Sequence, residues 1–169
     1  MESQCYQKEG FDIYEDCSEA PDAHNGRIGD EISILFPVDT RQGSDVSDLI
    51  HDALTGLMTP FYFYESAWRL RAWAERRQQA LSLVSIDLSG VPEDDLVRCA
   101  RELTAELRGG DLLARMSEEK FLLLLLGDLQ GANQLIFRLS NRIKPRLKFE
   151  ATEIAPKENL ANALSRINI

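Results

Sequence analysis

The chain is poor in the residues that would place it in several functional classes. Its two histidines, His24 and His51, stand alone in polar surroundings, with no metal-ligating partner at useful spacing. Cys5, Cys17 and Cys99 show neither metal-ligand nor redox spacing, and Cys99 falls in an apolar helical pattern that reads as a core thiol. No apolar run approaches the roughly 20 residues of a membrane span. The longest, Phe121 to Leu126, is strand-sized and flanked by charge. The opening residues Met1-Glu-Ser-Gln-Cys5 carry neither a basic nor an apolar targeting segment. Together these absences predict a reduced, cytoplasmic protein that makes no membrane contact. Positive charge is scarce as well. With 19 Lys and Arg against 28 Asp and Glu, the net charge of -9 argues against nonspecific binding to nucleic acid or an anionic surface. A small anionic ligand remains compatible, because one or two local arginines outweigh distant charge under salt screening.

What is present divides the 169 residues into two parts. Residues 1–47 are acidic, rich in Ser, Asp and Gly, and without sustained periodicity. They read as an arm, disordered at its start, with Glu31-Ile-Ser-Ile-Leu-Phe36 as a strand-like segment for docking on the rest. Residues 48–169 read as one domain. Helices are predicted over Pro60 to Gln79, Glu93 to Arg108, Gln130 to Lys144 and Pro156 to Arg166. Strands are predicted over Leu81 to Leu88, Leu112 to Met116, Lys120 to Leu126 and Arg146 to Ile154. In the first helix, Phe61, Tyr64, Trp68, Leu70, Trp73 and Ala74 are the expected buried face. The aromatic run from Phe61 to Tyr64 is too long for every member to face one core. Strands alternating with amphipathic helices, plus one hairpin, imply an α/β or α+β sandwich around a mixed central sheet.

Four pieces stand in order along this second part: Asp52-Ala-Leu-Thr-Gly-Leu57, Leu83-Val-Ser-Ile-Asp-Leu88, Arg108-Gly-Gly-Asp111, and Leu112-Leu-Ala-Arg115 leading to Ser117-Glu-Glu-Lys-Phe121. The set resembles GGDEF domains, the bacterial diguanylate cyclases that make cyclic di-GMP. In that family a D-x-L-T-G-L segment opens the domain, a strand carries the metal-binding acids, and an R-x-x-D inhibitory site stands five residues ahead of the G-G-[DE]-E-F hairpin. The resemblance covers about residues 48 to 167 and implies a palm-like central sheet flanked by helices.

The departures fall on the chemistry. By alignment with the family, Ser85 replaces the first metal-binding acid and Asp87 is the second. Serine cannot supply the carboxylate charge that holds a divalent ion against a triphosphate. Ser117 and Glu118 replace the two glycines, so bulk and negative charge stand where phosphate would approach. Glu119 keeps its position, but Lys120 replaces the next acid. The family's guanine-binding segment is missing, with the short Ser89-Gly-Val-Pro-Glu-Asp-Asp95 in its place, and Thr59-Pro60 replaces the usual Asn-Arg. The resemblance therefore implies a domain with no catalytic residues, no metal and no cofactor.

Arg108 and Asp111 match the inhibitory site. An arginine fork can bond guanine O6 and N7, and a carboxylate can accept from N1-H and N2-H. In the family this site holds a stacked dimer of cyclic di-GMP, often with further arginines, for which Arg76 and Arg77 are the candidates here. Alone, an R-x-x-D string carries little: Arg27-Ile-Gly-Asp30 is a second copy, out of register in the arm. A plain alternative is a cation near a helix end and an acid that starts a strand. The expected function is an inactive cyclic di-GMP receptor acting through a protein partner or a homodimer. A non-nucleotide interaction module that keeps the fold is the alternative, and a residual cyclase is the third.

Overall fold

The computed structural model describes residues 49–144 and 146–169. The expected arm lies outside them, as do Arg27, Asp30, Cys5, Cys17 and His24. Four helices and four strands follow in the order α1 (Pro60–Arg77), β1 (Leu81–Asp87), α2 (Glu93–Glu106), β2 (Leu112–Arg115), β3 (Lys120–Leu126), α3 (Leu129–Arg142), β4 (Lys148–Ile154) and α4 (Leu160–Leu164). The strands form one sheet of order β2-β3-β1-β4, and all three ladders are antiparallel. The parallel component expected of a mixed sheet reduces to a single bridge, Met58 to Ala114.

Because side chains alternate along each strand, the sheet carries two apolar faces. Val84, Ile86, Phe121, Leu123 and Leu125 meet α2 and α3 through Cys99, Leu103, Leu135 and Leu139. Leu81, Leu83, Leu122 and Leu124 meet α1 and α4 through Phe63, Tyr64, Ala67, Ala74 and Leu164. The central strands β1 and β3 are buried on both sides, which is why they are nearly continuous runs of Leu, Val and Ile. The result is the expected α+β sandwich, with helices on both sides of the sheet. Cys99 is fully buried, as its helical pattern predicted.

Helix α1 departs from its predicted face. It starts at an N-cap on Thr59, whose hydroxyl accepts from the Tyr62 amide, with Pro60 in the first turn. The residues it buries are Phe63, Tyr64, Ala67 and Ala74, while Phe61, Trp68 and Trp73 point outward. The reason is steric: the two small alanines share an arc with Phe63 and let the helix lie close to the sheet, and the bulkier tryptophans cannot. Helix α4 is also much shorter than the predicted Pro156–Arg166. Pro156 and Lys157 instead form the turn closed by the Glu158 amide on the Ala155 carbonyl, with Lys157 at φ 65°, and Asn159 caps the helix.

The segment Asp52–Leu57 closes the exposed edge of β2. Its turn is held by the Asp52 and Gly56 amides, with Gly56 at φ 70°, a conformation that favours glycine. Met58 then bonds to both Leu113 and Arg115, which caps an edge otherwise open to pairing.

Candidate nucleotide-binding site

Strand β3 has a candidate site at each end. At its Leu126 end, α2 stops at Glu106 and the chain turns through Arg108-Gly-Gly-Asp111 into β2. The Asp111 carboxylate staples this turn: one oxygen accepts from the Arg108 amide at 2.9 Å, the other from the Leu126 amide at 3.2 Å. The Asp111 amide returns a bond to the Arg108 carbonyl at 3.0 Å. Gly110 packs closely here: a Cβ would lie 2.6 Å from the end of the Leu126 side chain, which would have to shift to admit it. The turn thus shows the plain role for Asp111, an acid ordering the start of a strand. It leaves the Arg108 side chain exposed, with no hydrogen-bond or ion-pair partner among the described residues.

A cleft beside this turn is lined by Arg108, Asp111 and Glu106 from one side and by Gly131, Gln134 and Arg138 of α3 from the other. Glu106 pairs tightly with Arg142 and at 3.9 Å with Arg138. Arg138 was not singled out in the sequence because it lies 30 residues away, in an ordinary amphipathic helix. Its position every third or fourth residue from Gln134 and Gln130 on the outer face of α3 was the one available signal. Arg76 and Arg77 do not line this cleft. They leave the end of α1, which covers the opposite face of the sheet from α2 and α3. The cleft encloses only about 100 Å³, far below the several hundred needed to surround a drug-sized ligand. Any larger occupant must therefore lie on an open surface. The amino end of α3 adds little, because the Leu129 amide is taken by Glu153 and the Gly131 amide by Asp128.

At the Lys120 end of β3 the expected degenerate residues come together. Asp87 and Lys120 are register partners across β1 and β3, and their charged atoms are 3.4 Å apart. The Ser89 hydroxyl and amide also donate to Asp87, and these bonds, with Lys120, hold its carboxyl down to about 2. Ser85 lies on the same face, only 3% exposed, and its hydroxyl donates to the Asn168 carbonyl. The Asn168 amide in turn bonds Glu150, the cross-strand neighbour of Ser85. Ser117, Glu118 and Glu119 form the exposed hairpin tip, and the Glu119 carbonyl accepts from Leu88.

This donor set does not fit a divalent ion. Asp87 is neutralised by Lys120, and the Ser85 hydroxyl beside it is already bonded to the Asn168 carbonyl. Among the described residues no group of three or more His, Cys, Asp and Glu side chains is placed to hold a metal. The connection between Asp87 at the end of β1 and Glu93 at the start of α2 is a short turn, with Gly90 at φ 80°.

Two motif pieces 63 residues apart also meet. Arg115 donates to both oxygens of Asp52 at 3.2 Å, and Thr55 adds its amide and hydroxyl at 2.8 and 2.7 Å. Burial opposes charge on Asp52, but the Thr55 and Arg115 bonds outweigh it and keep the carboxyl below its ordinary range. This pair ties the Asp52–Leu57 loop to β2 and is structural.

Against solved structures, the fold matches the diguanylate cyclase SiaD from Pseudomonas aeruginosa, determined in complex with its activator SiaC. That match has a TM-score of 0.62 and 25% identity over 69% of this chain. It also matches the coiled coil and GGDEF domain of DgcB from Caulobacter crescentus in complex with c-di-GMP, at TM-score 0.61 and 16% identity, over 72% of this chain and 78% of that one. A third match is the FimX GGDEF domain from Pseudomonas aeruginosa, at TM-score 0.61 and 17% identity, over 69% of this chain and 86% of that one. The fold is that of a GGDEF domain. This chain spans 54% of the SiaD chain, about half its length. No family profile matches the sequence. No curated protein matches it either. Among the described residues, no helix of this GGDEF fold is long and apolar enough to cross a membrane.

Proposed function

We propose that this chain is a catalytically inactive GGDEF-fold receptor for cyclic di-GMP. The ligand binds at Arg108 and Asp111 with help from Arg138, and the output passes through contacts with a protein partner or a second copy. The observation that carries this reading is the Arg108 guanidinium, unpaired among the described residues and set in the same turn as a rigidly held carboxylate. A guanine presented edge-on would give its O6 and N7 to Arg108 and its N1-H and N2-H to Asp111, whose oxygens retain free lone pairs. Arg138, held only loosely by Glu106, would take a phosphate. The open cleft suits a stacked dimer of the dinucleotide lying on the surface rather than a buried molecule. The absence of cyclase chemistry is inferred from the Lys120–Asp87 pair and from Ser85 sealed beneath Asn168.

Isothermal titration of cyclic di-GMP into the wild type and into Arg108→Ala tests the reading. Loss of a bidentate guanine contact costs about 1–3 kcal/mol, so the variant should bind roughly 5- to 150-fold more weakly. Equal affinity in the two proteins, or no heat from either, overturns it. Incubation with GTP and magnesium or manganese should yield no cyclic product.

One observation favours the alternative of an interaction module without nucleotide. Both oxygens of Asp111 already serve the fold, so the motif has a structural reason to persist. Phe137, 72% exposed on α3, would then be part of the contact surface.

A further inference from the structure

Among the described residues, helix α1 leaves a second face without a partner. Phe61, Tyr62, Trp68 and Trp73 are between 36% and 44% exposed. At 100° per residue they occupy one arc of about 140°. Phe61 and Trp68 form one rim, Tyr62 and Trp73 the other, and Arg69, Arg76 and Glu65 lie between them. Glu65 offsets Arg69 through a 3.1 Å ion pair, which leaves Arg76 as the excess charge of the strip. The helix as a whole carries four arginines and two glutamates.

The charge that complements this face is concentrated in one place. Residues 1–48 hold 12 of the 28 acidic and 3 of the 19 basic side chains, so they account for the entire net charge of -9, and residues 49–169 are neutral. Within them, Asp30-Glu-Ile-Ser-Ile-Leu-Phe36 combines acids with an apolar run of strand length. The connection is short. Leu49 sits at the foot of α1, where its carbonyl accepts from the Thr59 hydroxyl at 2.5 Å and the Thr59 amide reaches the Ile50 carbonyl at 2.9 Å. The 12 residues between Phe36 and Leu49 can reach about 40 Å. The 18 residues of α1 extend about 27 Å.

We infer that the outward face of α1 is the docking surface for residues 31–36 of the same chain. The apolar side chains of that segment cover Trp68 and Trp73, and Asp30 and Glu31 meet Arg76. Tethering favours this occupant over a second copy: a linker of this length holds the segment at an effective concentration near the millimolar range. The inference is independent of nucleotide binding.

The two tryptophans of α1 are the only ones in the chain, so their fluorescence reports on this face alone. In the full chain, acrylamide should quench wild-type emission at least twofold less efficiently than emission from the double variant Ile34→Asp, Phe36→Asp. The variant's emission should also shift to the red, with its circular dichroism unchanged. Identical quenching in the two proteins overturns the inference. As a second measurement, p-benzoylphenylalanine introduced at position 68 of the full chain is photolysed and mapped by mass spectrometry. Cross-links to residues 30–36 within one chain support the docking. Cross-links between chains, or none to residues 1–48, overturn it.

Discussion

The two ends of β3 solve the same electrostatic problem in opposite ways. At Lys120 the strand brings its own cation to Asp87, and the pair is closed further by Ser89. At Leu126 the strand gives a backbone amide to Asp111, and the nearby cation, Arg108, has no partner among the described residues. A carboxylate neutralised from within needs no ion or ligand to keep the fold stable. A guanidinium that the fold does not use is free to bind something else, at almost no cost to stability. The unspent positive charge therefore lies at the Leu126 end of the strand and not at the Lys120 end.

The comparison breaks most severely at Ser85. Restoring an acid with Ser85→Asp buries a carboxylate against the Asn168 carbonyl and beside Glu150. Lys120, a cation along that face, is already paired with Asp87, and urea unfolding should show a loss of about 3 kcal/mol. A variant as stable as the wild type would mean that this face is open to water and ions. Lys120→Glu should cost less, about 1–2 kcal/mol, because the pair is partly solvated. If Lys120 takes the place of a divalent ion, manganese should raise the melting temperature of this variant and leave the wild type unchanged.

At the other end, Asp111→Ala removes the acceptor of two backbone amides and should destabilise by roughly 1–2 kcal/mol, the scale of a lost cap. Arg108→Ala should change stability by less than about 0.5 kcal/mol, as exposed substitutions do. Thermal melts of both variants sharpen the contrast, since equal losses would mean that Arg108 is as structural as its neighbour.

The smallest effect concerns pH. The Asp87 carboxyl is lowered from 3.8 to about 2, so its stabilising contribution is complete above 3.8 and is lost as pH falls toward 2. Acid unfolding of Asp87→Asn should lack this part of the wild-type pH dependence. Parallel curves for the two proteins would show that the Lys120 and Ser89 contacts contribute nothing.

Much of the fold was legible because β3 is an unbroken apolar run after Lys120 and β1 a nearly continuous one, both bounded by turns, and β3 was predicted with its observed limits. The motif pieces added topology that periodicity alone does not select. The buried face of α1 was misread because side-chain size outweighed spacing: Ala67 and Ala74 are weak signals of hydrophobicity but strong ones of close packing. The arginine beside the R-x-x-D turn was likewise hidden. Arg76 and Arg77 lie at the end of α1, across the sheet from this cleft, whereas Arg138 lines it through the packing of α3.

On its own, the amino-acid sequence set out most of the strands and helices and the chemistry of each candidate site residue. These properties are local: strand and helix periods, turn residues and side-chain chemistry act over a few positions. Only the tertiary structure set Lys120 against Asp87, Asn168 over Ser85 and Arg115 on Asp52, and left Arg108 without a partner among the described residues. Each of the three contacts depends on register and packing between residues 33 to 83 positions apart. No local pattern encodes such distances, because they are set by how the two faces of one sheet are covered.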